Sequence, residues 1–212
     1  MMSQVVIFAN SIKKQQRCIA GKRVDTKGWI RPVASNDGAE ISANRCLVKA
    51  DQRWLETAPL QLVEMELGNP VPLVNQPENY LMTNKPWRYI RHLNSHELGD
   101  YLDTPESLWG SGAWIDYSDI EQGSLVIDKS LLLVKVEQLH LFYRETSYGR
   151  VKRRARFVYN HHNYDLPVTD PAFAQQVEQA THHTILCISL GEKFDYYGDG
   201  NYSCFKIVAS IL

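Results

Sequence analysis

"GRVKRRARFVY", residues 149–159, decides how this sequence is read. Five of the seven residues from Arg150 to Arg156 are Lys or Arg, in a 212-residue chain whose formal net charge is −1. On a strand, successive side chains point to opposite faces. Arg150, Lys152, Arg154 and Arg156 then share one face, and Val151, Arg153, Ala155, Phe157 and Tyr159 share the other. One side is cationic and the other largely apolar, so the stretch predicts a strand with a charged outer face. Arg153 is the misfit on the inner side and belongs at a rim or beside an acid.

The flanking sequence extends this into a meander. "SLLLVKVEQLHLFYRE" (130–145) alternates as a long strand, and "NYDLPV" (163–168) follows the basic run after a short polar turn. "TDPAFAQQVEQATH" has a capping Thr or Asp and an early Pro, and reads as a helix. "TILCISLGEKF" and "YSCFKIVASIL" close the chain as two further strands around the loop "DYYGDGNY". The N-terminal part opens in the same style. "QVVIFANSI" (4–12), "RCIAGKRV" (17–24) and "WIRPVA" (29–34) predict three strands, the last at an edge or ending early because of Pro32. "LQLVEMEL" (60–67) alternates well, whereas residues 68–87, rich in Pro and Asn, suggest an irregular connector. "RYIRHLNSHELGDYL" suggests a short helix, and a soft boundary falls near 120–125. The expected division is 1–122 and 123–212.

Charge is segregated behind the near-zero total. Lys13, Lys14, Arg17, Lys22, Arg23, Lys27 and Arg31 stand against one acid, Asp25, while Glu97–Glu121 holds seven acids and no Lys or Arg. Separated patches suit an anion-binding face, because local field rather than net charge steers a ligand. Cations two apart on a strand lie roughly 6–7 Å from each other, a spacing that can follow the phosphates of a single strand. In the N-terminal hairpin Arg17, Lys22, Arg23, Lys27 and Arg31 surround Trp29, the mixture of cation and ring that a single-strand groove uses. The candidate nucleic-acid-binding residues are therefore these six together with Arg150, Lys152, Arg154, Arg156 and Tyr159. The acidic segment 97–121 is a candidate docking site for a protein partner.

Other chemistry finds little support. Cys18, Cys46, Cys187 and Cys204 are widely spaced without a CxxC pair, and read as buried thiols of a reducing compartment. His161–His162 and His182–His183 are adjacent and would point apart on a strand, and His92/His96 lack the rest of a zinc motif. No GxSxG, P-loop or strand–GxGxxG–helix signature occurs. Gln76, Glu78 and Asn79 of "QPENYL" read as pinning a loop. The apolar runs are too short for a membrane span or a signal peptide, which predicts a cytoplasmic protein. No enzyme activity, cofactor or metal is expected.

Together "RCIAG", "GWIRPV", "QPENYL" with a following Trp, "YDLPVTDP", "LCISLGE" and "CFKIVASIL" resemble the bacterial dual OB-domain-containing proteins. The likeness runs along nearly the whole chain. It implies a mainly β fold of two tandem OB-like barrels with a few short helices, and a nucleic-acid role. OB barrels bind oligonucleotides across strands 2 and 3 and the flanking loops. The expectation is a non-catalytic module for single-stranded DNA or RNA, an accessory subunit of a prokaryotic nucleic-acid-processing or defence system. A protein-interaction adaptor is the alternative, or a small-nucleotide sensor or undetected enzyme using "DYYGDGNY" with His161 and His162.

Overall fold

Strands account for most of the chain in the computed structural model, which describes residues 1–13, 16–178 and 184–212. Lys14, His182 and His183 lie outside the described residues, as does the side chain of Lys13. The chain divides into two compact units, Met1–Leu102 and Asp103–Leu212. Residues 103–122, which the sequence reading grouped with the first half, fall in the second unit.

In the first unit β1 (Met2–Lys13), β2 (Gln16–Arg23) and β3 (Trp29–Val33) form the expected meander. β4 (Leu47–Ala50) and β5 (Arg53–Glu56) follow, then β6 (Gln61–Pro70), β7 (Asn79–Met82) and β8 (Trp87–His92). β1 pairs with both β2 and β6, β6 with β7, and β7 lies parallel to β3, so β1-β2-β3-β7-β6 closes on itself. This is the five-stranded Greek-key barrel of an OB fold, with β8, β4 and β5 extending the sheet from β6. Val5, Ile7, Ile19, Ile30, Val63 and Met65 fill its interior.

Three expectations fail in this unit. The connector expected over 68–87 contains β7 and the first residue of β8, hidden by the prolines around them. β7 is only four residues long and is selected by its parallel register with β3, Arg31 opposite Asn79. Pro32 shortens β3 but does not put it at an edge, since β3 lies between β2 and β7. The helix expected over 88–102 is β8 followed by a 3-10 turn over Ser95–Tyr101, started by a capping box between Asn94 and Glu97.

The second unit repeats the connectivity. β9 (Trp114–Asp116) and α1 (Tyr117–Glu121) precede β10 (Leu131–Lys135) and β11 (Glu137–Glu145). β12 (Val151–Tyr159), β13 (His162–Pro167), α2 (Phe173–Glu178), β14 (Ile185–Asp195) and β15 (Tyr202–Ile211) follow. Taken as two halves of one strand bent at Val136, β10 and β11 pair with β14 and β12 respectively. β13 meets β15 through a parallel bridge between Val168 and Val208, and β9 adds to the free edge of β15. The order is again first-second-third-fifth-fourth. Phe157, Tyr164, Leu166, Phe173, Ile188 and Val208 belong to its core, and Ile115, Ile120, Leu190 and Cys204 to a smaller cluster. Asp170 accepts from Ala172 N at 2.8 Å at the start of α2, as the "TDP" cap predicts.

Candidate nucleic-acid interface

Side-chain direction on β12 follows the alternation. Ala155, Phe157 and Tyr159 are buried, while Lys152 and Arg156 are exposed and Arg154 is half-buried. Register then decides what lies beside each cation. Arg156 stands between His140 and Asp165, Arg154 between Phe142 and Pro167, and Lys152 opposite Arg144. The outer face of β11–β12–β13 therefore carries Arg144, Lys152, Arg154 and Arg156 around one ring, Phe142. The Arg144 and Arg156 guanidinium carbons lie 5.3 and 5.4 Å from the Phe142 centroid, and His140 stacks on that ring at 5.2 Å. Arg144, His140 and Phe142 escaped the sequence reading, because only cross-strand register reveals which β11 residues share a face with the basic run.

One carboxylate organises the patch. Asp165 accepts from Arg154 Nε at 2.7 Å and from Arg144 Nη2 at 2.5 Å, and Arg156 Nη2 is 3.6 Å away. These arginines outweigh the desolvation of a half-buried acid and hold its carboxyl below the usual range. Arg154 also donates to the Asp165 carbonyl, so it ties β12 to β13. Arg150 is exposed in the β11–β12 turn beside Tyr148, which is 90% exposed. Arg153 sits at the sheet's end, donating to the Asp170 carbonyl at 3.1 Å over the Phe173 ring.

Tyr159 does not belong to this face. It is buried, and its hydroxyl donates to the Pro105 carbonyl at 2.7 Å. Its position two residues from Phe157 assigns it to the core side.

An open groove of about 1010 Å³ adjoins the patch. Lys152, Arg154 and Pro167 belong to its lining, together with Trp114, Tyr117, Phe194, Tyr196, Tyr197, Tyr202 and Phe205. Trp114, Phe194, Tyr196 and Tyr197 are all more than half exposed. The β14–β15 tip that carries the tyrosines is held in shape by Asp195, which accepts from the amides of Gly198, Asp199 and Gly200. Gly198 and Gly200 have φ of 72° and 83°, a conformation that favours glycine. "DYYGDGNY" thus supplies one wall of the groove, while His161 and His162 are not among its lining residues.

The first barrel's basic hairpin is arranged otherwise. Lys22 is 3% exposed, and its Nζ donates to the Tyr101 carbonyl at 2.7 Å while lying 5.0 Å from the Trp29 centroid. Trp29 is buried, edge-on to Phe8, and Phe8 packs against Tyr101 at 5.3 Å. Lys27 caps the Tyr101 ring at 3.8 Å. Arg31 pairs with Glu78 at 3.1 Å with both side chains largely buried, Arg23 forms two contacts with Asp25, and Arg17 approaches Glu56 at 3.9 Å. Tyr101, near the end of Leu93–Leu102, covers this part of the barrel's outer face, and Trp29 is not exposed for a base to stack on. Glu78 and Gln76 bond within the loop region, the pinning role expected for "QPENYL": Arg31 N donates to the Glu78 carbonyl and Asn79 Nδ2 to Gln76 Oε1.

The acidic segment is divided between the two units. Residues 97–102 belong to the first unit and 103–121 to the second. Glu97 holds Arg91 at 2.6 Å and Asp103 holds Lys129 at 2.9 Å, so both have structural partners. Among the described residues no cluster of His, Cys, Asp and Glu suits a metal ion, and no helix is long and apolar enough to cross a membrane.

Residues 3–211 match the model of the dual OB-containing domain family. The chain belongs to that family. Its two barrels are the OB domains that the family's description names, one in each unit. No curated protein and no solved structure matches the chain.

Proposed function

We propose that the protein is a non-catalytic binder of single-stranded nucleic acid, and that its second barrel does the binding. The observation that carries this is the outer face of β11–β12–β13, where four cations surround Phe142 and continue through Lys152 and Arg154 into an aromatic groove. Cations that follow a backbone, beside rings on which bases stack, are the two components of sequence-tolerant single-strand binding. In an OB barrel this is the strand 2–3 surface that meets oligonucleotides. A duplex keeps its bases stacked and would leave the rings unused.

The test is a salt series with labelled single-stranded DNA, single-stranded RNA and duplex. Single strands bind more tightly than duplex, and log K falls linearly with log salt. Lys152→Glu/Arg156→Glu sharply reduces retention and leaves the fold intact, since both side chains are exposed and neither makes the hydrogen bonds by which Arg154 ties β12 to β13. Unchanged retention by that double variant overturns the proposal.

A further inference from the structure

The groove beside the basic face is not uniformly cationic. Its cations, Lys152 and Arg154, come from β12, whereas Asp116 and Glu121 come from β9 and α1, and Asp199 from the hairpin tip. A phosphate backbone running along the β9–α1 wall would meet two exposed carboxylates, because Asp116 and Glu121 both face solvent. Asp116 precedes α1 without using its side chain as a cap, so its acceptor oxygens are not turned onto the helix. Asp199, in contrast, is held by Asn201 through its amide and side chain.

Phosphate therefore belongs on the β12 side and something uncharged belongs among the rings. Trp114, Tyr117, Tyr196 and Tyr202 supply flat apolar surfaces to this space, and Lys193 Nζ lies 5.0 and 5.3 Å from Tyr117 and Tyr202. Unstacked bases satisfy such a surface, each stack contributing about 1–3 kcal/mol. A base entering between rings can turn its hydrogen-bonding edge toward Asp116 and Glu121, whose carboxylates only accept, unlike the hydroxyls and amide of Ser118, Asn201 and Ser203 in the same lining. The Watson–Crick edges of thymine and uracil place two carbonyls beside their single N–H, which opposes carboxylates. Cytosine, adenine and guanine present an exocyclic amine, the donor that Asp and Glu accept from when they read cytosine.

We infer that the groove is a nucleobase slot that selects bases bearing an exocyclic amine over thymine and uracil, with Asp116 and Glu121 as the selecting groups. The inference rests on the single-strand reading and adds a base preference to it. Cytosine against thymine is the cleanest comparison, because both are pyrimidines of similar size and differ chiefly at the edge in question.

The experiment is fluorescence anisotropy with labelled oligo-dC and oligo-dT of equal length at one salt concentration. Oligo-dC binds roughly tenfold more tightly, the scale of one base-edge contact. Asp116→Asn/Glu121→Gln brings the two within about twofold, because a carboxamide donates as well as accepts. Lys152→Glu/Arg156→Glu weakens both oligonucleotides alike. Equal affinity for the two, preference for oligo-dT, or a preference that survives Asp116→Asn/Glu121→Gln overturns the slot while single-strand binding stands. Failure of both to bind at low salt overturns the slot and the single-strand reading together.

Discussion

In the first barrel the row Val6, Lys22 and Trp29 lies buried beneath Tyr101, whereas in the second the row Phe142, Arg154 and Pro167 faces outward. Both rows cross the first, second and third strands of the same topology, and both mix cations with rings. The difference comes from what the rest of each unit supplies. The first unit returns its own chain, Leu93–Leu102, over the face, with Lys22 bonded 79 residues away along the sequence. On the second unit's face three arginines, Arg144, Arg154 and Arg156, share the one carboxylate of Asp165, with Lys152 alongside. A cation-and-ring pattern in a sequence therefore fixes neither exposure nor role, because local alternation says nothing of a covering segment.

The largest effect expected from this comparison is on stability. Tyr101→Ala removes a ring packed on Phe8 and under Lys27, and loosens the carbonyl that receives Lys22. It costs about 3 kcal/mol, the range of a buried aromatic truncation, read by urea denaturation. A loss below about 1 kcal/mol would mean that Leu93–Leu102 does not seal the first barrel.

Next comes binding. Lys152→Glu/Arg156→Glu lowers single-strand affinity by about a hundredfold, or ~2.7 kcal/mol, whereas Arg23→Glu and Lys27→Glu change it by less than about threefold in the same anisotropy titration. Comparable losses from both barrels would erase the distinction drawn between them.

Lys206 offers a third probe. It lies on the buried side of β15 and donates to the Gly110 carbonyl at 2.7 Å, with its Nζ 5.6 Å from the Tyr164 ring. Burial pushes its pKa down from 10.5 to about 8. Between these values the folded protein has released a proton that the unfolded chain still holds, so stability rises with pH across the window. The rise is on the order of 2 kcal/mol and is absent in Lys206→Met. Chemical denaturation at about pH 7.5 and about pH 10 reads the difference. Identical pH profiles for the two proteins would refute the buried ammonium.

The smallest effect comes from Asp165→Asn. Removing one negative charge from a face of four cations tightens single-strand binding roughly threefold at low salt, and the gain shrinks as salt screens it. A weakened affinity would instead assign Asp165 to holding the arginines in a productive arrangement.

Much of the fold was legible because it rests on local patterns. β1–β3, β6, β10–β13, β14 and β15 all alternate or run apolar, and "TDP" marks the start of α2. β7 and β8 were not legible. β7 is four residues among prolines and owes its state to the Arg31–Asn79 register, and β8 carries charges at spacings that also suit a helix. At the candidate site, Lys152, Arg154 and Arg156 could be read from alternation, but Arg144, Phe142 and His140 could not, since their side of the sheet depends on pairing. The bulge between Glu137 and His140 shifts that register. Lys22 and Trp29 were misjudged for the converse reason: nothing near them in sequence announces Tyr101.

The covering segment also limits where the chain can be divided. A first half ending at His92 would retain every strand of its barrel and still lack its lid. Phe8 and Trp29 would meet water, and the Lys22 ammonium would lose its Tyr101 acceptor. Such a fragment is expected to be sticky and poorly soluble, whereas one extended to Leu102 keeps that surface shut.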